Sequence, residues 1–355
     1  MDKTIRIGLI GFGVGGQIFH APVLTAVKGL ELAKIRASKP EQVEVARTKY
    51  PDAEIVTTPE EIFKDPGIDL VVISTPNNSH HSLAAMALNA GKHVVVDKPF
   101  TVTTAEADEL IELAAKKNRL LSVYHNRRFD SDFNTVRKII NSGLLGEIVE
   151  FESRYDRFRN YLKPGAWREE DAPGTGILYD LGSHLIDQVL SFFGLPQAIT
   201  ADLRIQRKPG KAVDNFEVIM HYDGIKASLK AGMLVKETLP RLILLGTNGS
   251  FVKYGLDVQE EALKAGFTSL TKDNWGVEPP SAWGKINTEF NGMHIIGNIE
   301  SEAGNYSRFY SNIYNTLTGK EQLIVTPQQA RNTIRVIELA IQSEAEKRTI
   351  DFSFS

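Results

Sequence analysis

The chain has no cysteine. Disulfides, thiolate nucleophiles and cysteine-ligated metal sites are excluded with it. It also has no apolar stretch near the 18 residues that a membrane helix needs. Its start, MDKTIR, is charged and runs straight into a strand, so neither a secretion signal nor a membrane span is expected. Neither sign of charge is in excess. The 41 Lys and Arg against 44 Asp and Glu leave a net charge of −3, which implies neither nucleic acid nor an anionic membrane as partner. There is no internal repeat and no low-complexity stretch. What remains is an ordinary globular composition, 42 % hydrophobic and 24 % charged, in 355 residues. That length exceeds one compact core and predicts two domains, with the cytoplasm as the default compartment.

The most informative stretch is residues 5–20, IRIGLIGFGVGGQIFH. An apolar strand runs into a glycine turn, Gly11-Phe12-Gly13-Val14-Gly15-Gly16, and then into a helix start, the arrangement that binds a dinucleotide pyrophosphate. Gly11 permits the tight turn, Gly13 lets the backbone approach the phosphates, and Gly16 lets the helix sit close to the strand. The amides and dipole at the helix start favour the negative charge. From there to about residue 125, strand-like runs at 5–10, 30–35, 54–56, 70–74, 93–96 and 120–124 alternate with helical patterns. The helices are expected at 15–28, 40–49, 59–64, 79–90 and 103–117, with Thr58-Pro59-Glu60-Glu61 as a start signal and Gly91 as a stop. Near-continuous apolar strands alternating with helices predict a doubly wound parallel sheet covered on both faces.

After residue 145 the rhythm changes. Alternating segments at 147–158, 197–208, 215–223, 225–233 and 241–255 predict an antiparallel sheet. Tyr222-Asp223-Gly224 and Thr247-Asn248-Gly249-Ser250 read as positive-φ hairpin turns. Helices are expected at 178–193, 302–318 and 327–347, while 256–300, rich in Gly, Pro, Asn and Trp, yields no element. The expected fold is α/β: an N-terminal Rossmann doubly wound parallel sheet over 1–125, and a C-terminal α+β domain over 126–355. The second domain, expected to carry substrate binding and oligomerisation, has an open, largely antiparallel sheet.

An NAD-preferring fold places an acid at the end of the second strand, on the ribose 2′-hydroxyl. Here that place reads Ile35-Arg36-Ala37-Ser38-Lys39-Pro40, with no acid before Glu41. Ser38 with a cation at Arg36 or Lys39 suits a 2′-phosphate, so NADP is expected over NAD. Against it stands the reading of Arg36 and Lys39 as solvated loop charges. Thr75-Pro76-Asn77-Asn78-Ser79-His80 follows the fourth strand and Asp97-Lys98-Pro99 the fifth, where ligands bind in open α/β sheets. On the 178–193 helix Asp180 and His184 are four residues apart and share a face, with Asp187 a turn further on. Histidine suits proton transfer near neutral pH, and a carboxylate can orient it. The same spacing could begin a zinc site, but no third ligand cluster accompanies it, so no metal is expected. A surface His–Asp pair is the plainer alternative.

Taken in order, the turn at 11–16, Thr75-Pro76-Asn77 with His80, Asp97-Lys98-Pro99 and the Asp180–His184 helix resemble the Gfo/Idh/MocA oxidoreductases across essentially the whole chain. Asp97 departs conservatively from that family's usual Glu-Lys-Pro. Phe19-His20-Ala21-Pro22, the run from Ser122 to Arg128 and Tyr179-Asp180-Leu181-Gly182-Ser183-His184 are similar to its NADP-dependent scyllo-inositol dehydrogenase branch. The resemblance implies an active site in the cleft between two domains, with Lys98, Asp180 and His184 carrying the chemistry. Thr75, Pro76, Asn77, His80, Asp97, Lys98 and Asn126 would join the glycine turn, Arg36, Ser38 and Lys39 at the cofactor. His184 would take the proton of a substrate hydroxyl, Lys98 would hold its oxygen, and Asp180 would bind a neighbouring hydroxyl. A polyol or sugar is the expected substrate, with Tyr124, Arg127, Tyr155, Arg157 and Trp167 as its candidate contacts. Tyr155 and Arg157 are expected to face the same way on one strand. Two other functions use the same turn, a non-catalytic NADP-sensing regulator and an adenosylmethionine-dependent methyltransferase. An open antiparallel sheet needs a cover, so a homodimer or homotetramer is expected.

Overall fold

The structure is a computed structural model that describes residues 3–354. The chain divides into two compact units. The first comprises residues up to Asn126 together with Gln259–Trp275 and Asn305–Arg331, and the second comprises Arg127–Val258, Gly276–Gly304 and the residues from Asn332 onward.

The first unit is built on six strands: β1 (Ile5–Ile10), β2 (Leu30–Arg36), β3 (Glu54–Val56), β4 (Leu70–Ile73), β5 (His93–Asp97) and β6 (Leu121–Tyr124). Their order is β3-β2-β1-β4-β5-β6 and every pairing is parallel. The apolar runs explain this. Ile7, Leu9, Val71, Val72, Val94 and Val95 are all fully buried, as strands covered on both faces must be. Helices Pro40–Lys49, His80–Asn89 and Thr104–Lys117 lie where the helical patterns place them, the last opened by a reciprocal Thr103–Glu106 capping box. The 15–28 helix does not form as a single element. A π turn over Gly15–His20 passes into a short α-helix, Ala21–Leu24. The start signal at 58–61 also works differently. Thr58 caps nothing through its side chain; Glu61 reaches back and accepts from the amides and hydroxyls of Thr57 and Thr58.

The second unit carries nine strands. In chain order they are β7 (Ile148–Arg154), β8 (Ala198–Arg204), β9 (Asn215–His221), β10 (Lys226–Gly232), β11 (Leu242–Gly246), β12 (Gly249–Lys253), β13 (Gly284–Phe290), β14 (Met293–Ile299) and β15 (Ile350–Asp351). Their spatial order is β14-β13-β12-β11-β7-β10-β9-β8-β15. All neighbours are antiparallel except β7 and β10. One face of β9 is buried through Phe216, Val218 and Met220. Across the β7–β10–β9 segment run ion pairs, Lys226 to Glu150 at 2.9 Å and Lys230 to Glu152 and Glu217 at 3.4 and 3.3 Å.

The two expected hairpin turns differ. Gly224 has a positive φ of 73°, as that turn requires. The β11–β12 turn at Thr247-Asn248 has no positive φ, which corrects the expectation there. Gly249 is needed for another reason: a Cβ on it would run into the backbone oxygen of Asn287 on β13. The unassigned stretch holds a short helix, Gln259–Lys264, and the β13–β14 hairpin, which turns at Asn291-Gly292 with φ 51° and 76°. The helix expected at 178–193 opens as a π turn, Leu178–Gly182, and continues as α-helix Ser183–Phe193.

Candidate functional site

The glycine turn follows β1. Gly11 has φ 98°, a conformation open to glycine and strained for other residues. A Cβ on Gly16 would strike the Gly11 carbonyl oxygen, so the turn closes only because both lack side chains. At Gly13 the opposite holds, since a Cβ there would meet nothing within 4 Å. This is backbone presented to open space at the C-terminal end of the sheet, where a pyrophosphate fits. Phe12 is buried, edge-on to Tyr50, while Val14 is 70 % exposed. At the end of β2 the Nε of Arg36 donates to the Thr57 oxygen at 3.2 Å, and Ser38 and Lys39 are exposed. The residues present therefore fit a dinucleotide.

Beyond β4, Thr75 Oγ1 and Ser79 Oγ share a hydrogen bond of 2.7 Å, and Asn77 is buried beside the exposed Pro76. His80 is fully buried. Its Nδ1 lies 2.8 Å from the Pro99 oxygen and its Nε2 2.9 Å from the Thr75 oxygen, so it ties the loop after β4 to the loop after β5. Burial pushes its imidazole below the usual value, against the pull of Asp97 and of the carbonyls. Asp97 closes β5. Its Oδ1 accepts from the Lys98 amide at 2.8 Å and its Oδ2 from Ser74 Oγ at 3.2 Å. Burial raises its pKa, but His20, Lys98 and His80 outweigh that and hold the carboxyl at about 2. Lys98 itself is half-buried and Asn126 is buried.

Tyr124 is corrected. Only 1 % exposed, it donates its hydroxyl to the Phe19 oxygen at 2.9 Å and packs between His20, Phe309 and Tyr310, so it belongs to an aromatic core and not to a substrate surface.

In the second unit Tyr155 and His184 come together, with ring centroids 6.3 Å apart. Tyr155 is 3 % exposed, and its hydroxyl has no hydrogen-bond partner among the described residues. The guanidinium of Arg127 lies 5.3 Å from its ring centre and that of Arg241 4.5 Å. Burial pushes the phenol well above its usual value, against the pull of the two arginines. Each arginine has an acidic neighbour: Arg127 meets Asp130 at 3.5 Å, and Arg241 meets Asp132 at 3.6 Å. Arg157 does not share the setting of Tyr155. It lies past the end of β7 and is exposed, because the burial alternation stops there. Trp167 sits in a 3₁₀ turn, half-buried, with Arg168 stacked 4.5 Å from its ring centre.

Asp180 lies in the π turn and pairs with Arg168 Nε at 3.3 Å, while His184 is 6 % exposed in the α-helix that follows. Asp187 has a structural part: buried, it takes a bidentate pair from Arg128 at 2.6 and 2.7 Å. Sequence reasoning missed Arg241 and Asp132, which no local signal marks. It also set His20 aside as structure, although His20 contacts Asp97.

A glycine turn on a six-stranded parallel sheet, with a lysine and an acid closing β5, fits a nicotinamide-nucleotide oxidoreductase. The comparisons agree. "Oxidoreductase family, NAD-binding Rossmann fold" matches residues 5–125 and "Oxidoreductase family, C-terminal alpha/beta domain" matches 137–352. The chain belongs to the Gfo/Idh/MocA oxidoreductase family. It is 41 % identical to the scyllo-inositol 2-dehydrogenase (NADP(+)) of Bacillus subtilis over 98 % of this chain and 96 % of that protein. It is 28 % identical to the D-glucoside 3-dehydrogenase of Escherichia coli over 59 % of this chain and 60 % of that protein. Among solved structures, the yvaA oxidoreductase of Bacillus subtilis aligns with a TM-score of 0.95 at 40 % identity, covering 99 % of each chain.

Proposed function

We propose that the protein is an NADP-dependent dehydrogenase that oxidises a secondary alcohol of a polyol or sugar, or reduces the matching ketone. The observation that carries the substrate reading is the set of polar groups around Tyr155 and His184. It is rich in donors, and its arginines are matched by acids, Arg127 by Asp130 and Arg241 by Asp132. Such a set of groups suits a neutral, hydroxyl-rich molecule better than an anion. Likeness to a scyllo-inositol dehydrogenase over nearly the full length supports the same class. Arg36, Ser38 and Lys39, with no acid beside them, support NADP.

When bound, the nicotinamide supplies a hydride acceptor or donor at its ring C4. The chain's own residues do the rest. His184 takes the substrate hydroxyl proton during oxidation and returns one during reduction. Lys98 holds a substrate oxygen and favours negative charge on it. Asp180, half-exposed and fixed by Arg168, accepts a hydrogen bond from a neighbouring hydroxyl. Ser38, Lys39 and Arg36 hold the 2′-phosphate, and the turn from Gly11 to Gly16 holds the pyrophosphate. Thr75, Pro76 and Asn77 line the cofactor's path, with His80 positioning their loop. Arg127, Tyr155 and Trp167 contact the substrate. The protein works as a homodimer or homotetramer, a reading supported by the apolar side chains of Met293, Ile295 and Ile296 on the exposed edge strand β14.

The test is NADP reduction and NADPH oxidation across inositols, inososes and aldoses, with NAD in parallel and the subunit count from light scattering. Turnover with a polyol and NADP is expected. NADP binding without turnover of any of the panel would favour a sensor, and strong NAD preference would overturn the reading of residues 36–39.

A further inference from the structure

His20 stands apart from the proposed chemistry, yet it is fully buried and held on both sides. Its Nδ1 lies 2.6 Å from the Tyr310 hydroxyl, and its Nε2 lies 3.4 Å from Asp97 Oδ2. Burial, together with Tyr124 and Asp97, raises the Tyr310 phenol well above its usual value, so Tyr310 keeps its proton. Tyr310 and His20 thus share a hydrogen bond, and the His20 ring lies within ion-pair distance of the Asp97 carboxylate.

That carboxylate lies directly beneath the glycine turn. A Cβ on Gly15 would come within 3.1 Å of Asp97 Oδ2 and would also strike Ser74 Oγ. Asp97 therefore sits at the C-terminal end of β5, where ligands of parallel sheets bind, with a side chain still 22 % exposed. The titratable groups near it are Lys98, next in the chain, and the two histidines, His20 and His80. His80 is fully buried against two carbonyls.

An oxidised nicotinamide ring carries a positive charge and a reduced one carries none. A fixed anion nearby therefore favours the oxidised form. We propose that Asp97 is a fixed negative charge that biases the protein toward the oxidised nicotinamide cofactor, and that His20 and Tyr310 are the positioning residues that hold it there. The proposal rests on the nicotinamide-dependent function above and deepens it.

The experiment measures the dissociation constants of NADP⁺ and NADPH (and of NAD⁺ and NADH) by calorimetric titration, without substrate. Asp97→Asn should shift the ratio of the two constants by about tenfold against the oxidised form. Asp97→Glu should keep the ratio even if both affinities fall. Lys98→Met, which removes the opposing cation, should move the ratio the other way. If Asp97→Asn does not fold, Asp97→Ser reads the same quantity. His20→Ala, which removes the ring packed against Asp97, should shift the ratio in the same direction as Asp97→Asn, and His20→Gln, which keeps a polar group there, should restore it. Equal losses for both cofactor forms in Asp97→Asn or Asp97→Ser would overturn the proposed bias. Identical ratios in His20→Ala and His20→Gln would remove His20's positioning role. Failure of the unaltered protein to bind any of the four nucleotides would instead overturn the functional reading itself.

Discussion

His184 is the residue on which the proposed chemistry turns. It is nearly buried, beside a tyrosine ring and at the start of a helix, so its imidazole has few orientations open to it. General acid–base catalysis of this kind contributes about 10²–10⁴-fold, and His184→Ala should lose that much in kcat while NADP affinity in calorimetric titration stays within about twofold. Near-full turnover in that variant would remove His184 from the mechanism. The glycines of the turn separate in the same way. Gly13→Ala should leave the melting temperature within about 2 °C, because its Cβ meets nothing, yet weaken cofactor binding by about tenfold or more. Gly16→Ala drives a Cβ into the Gly11 carbonyl and should lower the melting temperature markedly. Equal effects of the two on stability would contradict the turn's geometry.

Elements were legible in proportion to how much of their burial is local. β1 to β6 announce themselves as apolar runs because both their faces are covered. The β13–β14 hairpin was missed although Asn291-Gly292 is a strong turn signal. The reason lies in β14, which is exposed on both sides and so shows no alternation. The π turns at 15–20 and 178–182 leave no mark in periodicity, since they add one residue to a turn in otherwise helical sequence. Long-range pairs are invisible for a different reason. Asp187 has the spacing to join Asp180 and His184, but only the fold reveals that Arg128, in the 3₁₀ turn Asn126–Phe129, takes both its oxygens. Breaking that buried pair should cost about 3–5 kcal/mol, so Asp187→Ala should unfold at clearly lower urea than the unaltered protein. A variant of unchanged stability would return Asp187 to the list of functional acids.

At the scale of the whole molecule, pH acts through groups whose protonation folding forbids. His93, on β5, accepts from the Leu120 amide at 2.9 Å through Nδ1. Burial, aided by Arg119 and Lys3, pushes its pKa down to about 4. In the unfolded chain the same ring titrates near 6.5. Between those values the unfolded chain takes up a proton that the folded one refuses. The stabilisation is present above about pH 6.5 and is lost as pH falls toward 4, by roughly 2–3 kcal/mol. Urea unfolding at pH 7 and pH 4.5 should show that loss, and His93→Gln should flatten it. An equal slope in both proteins would assign the acid sensitivity to other groups.

The first unit also has a schedule built into its chain order. His20, Ser122 and Tyr124 are made early, but the groups that complete their surroundings are made late: Phe309, Tyr310 and the Val325 oxygen, which accepts from Ser122 Oγ at 2.8 Å. While the chain is being synthesised, the parallel sheet can assemble long before these arrive. Through that interval the aromatic surface of Tyr124 stays open and Asp97 lacks its backing. The nucleotide-binding unit is therefore begun before the second unit and finished only after most of it, and termination anywhere before residue 310 leaves it exposed to aggregation and proteolysis.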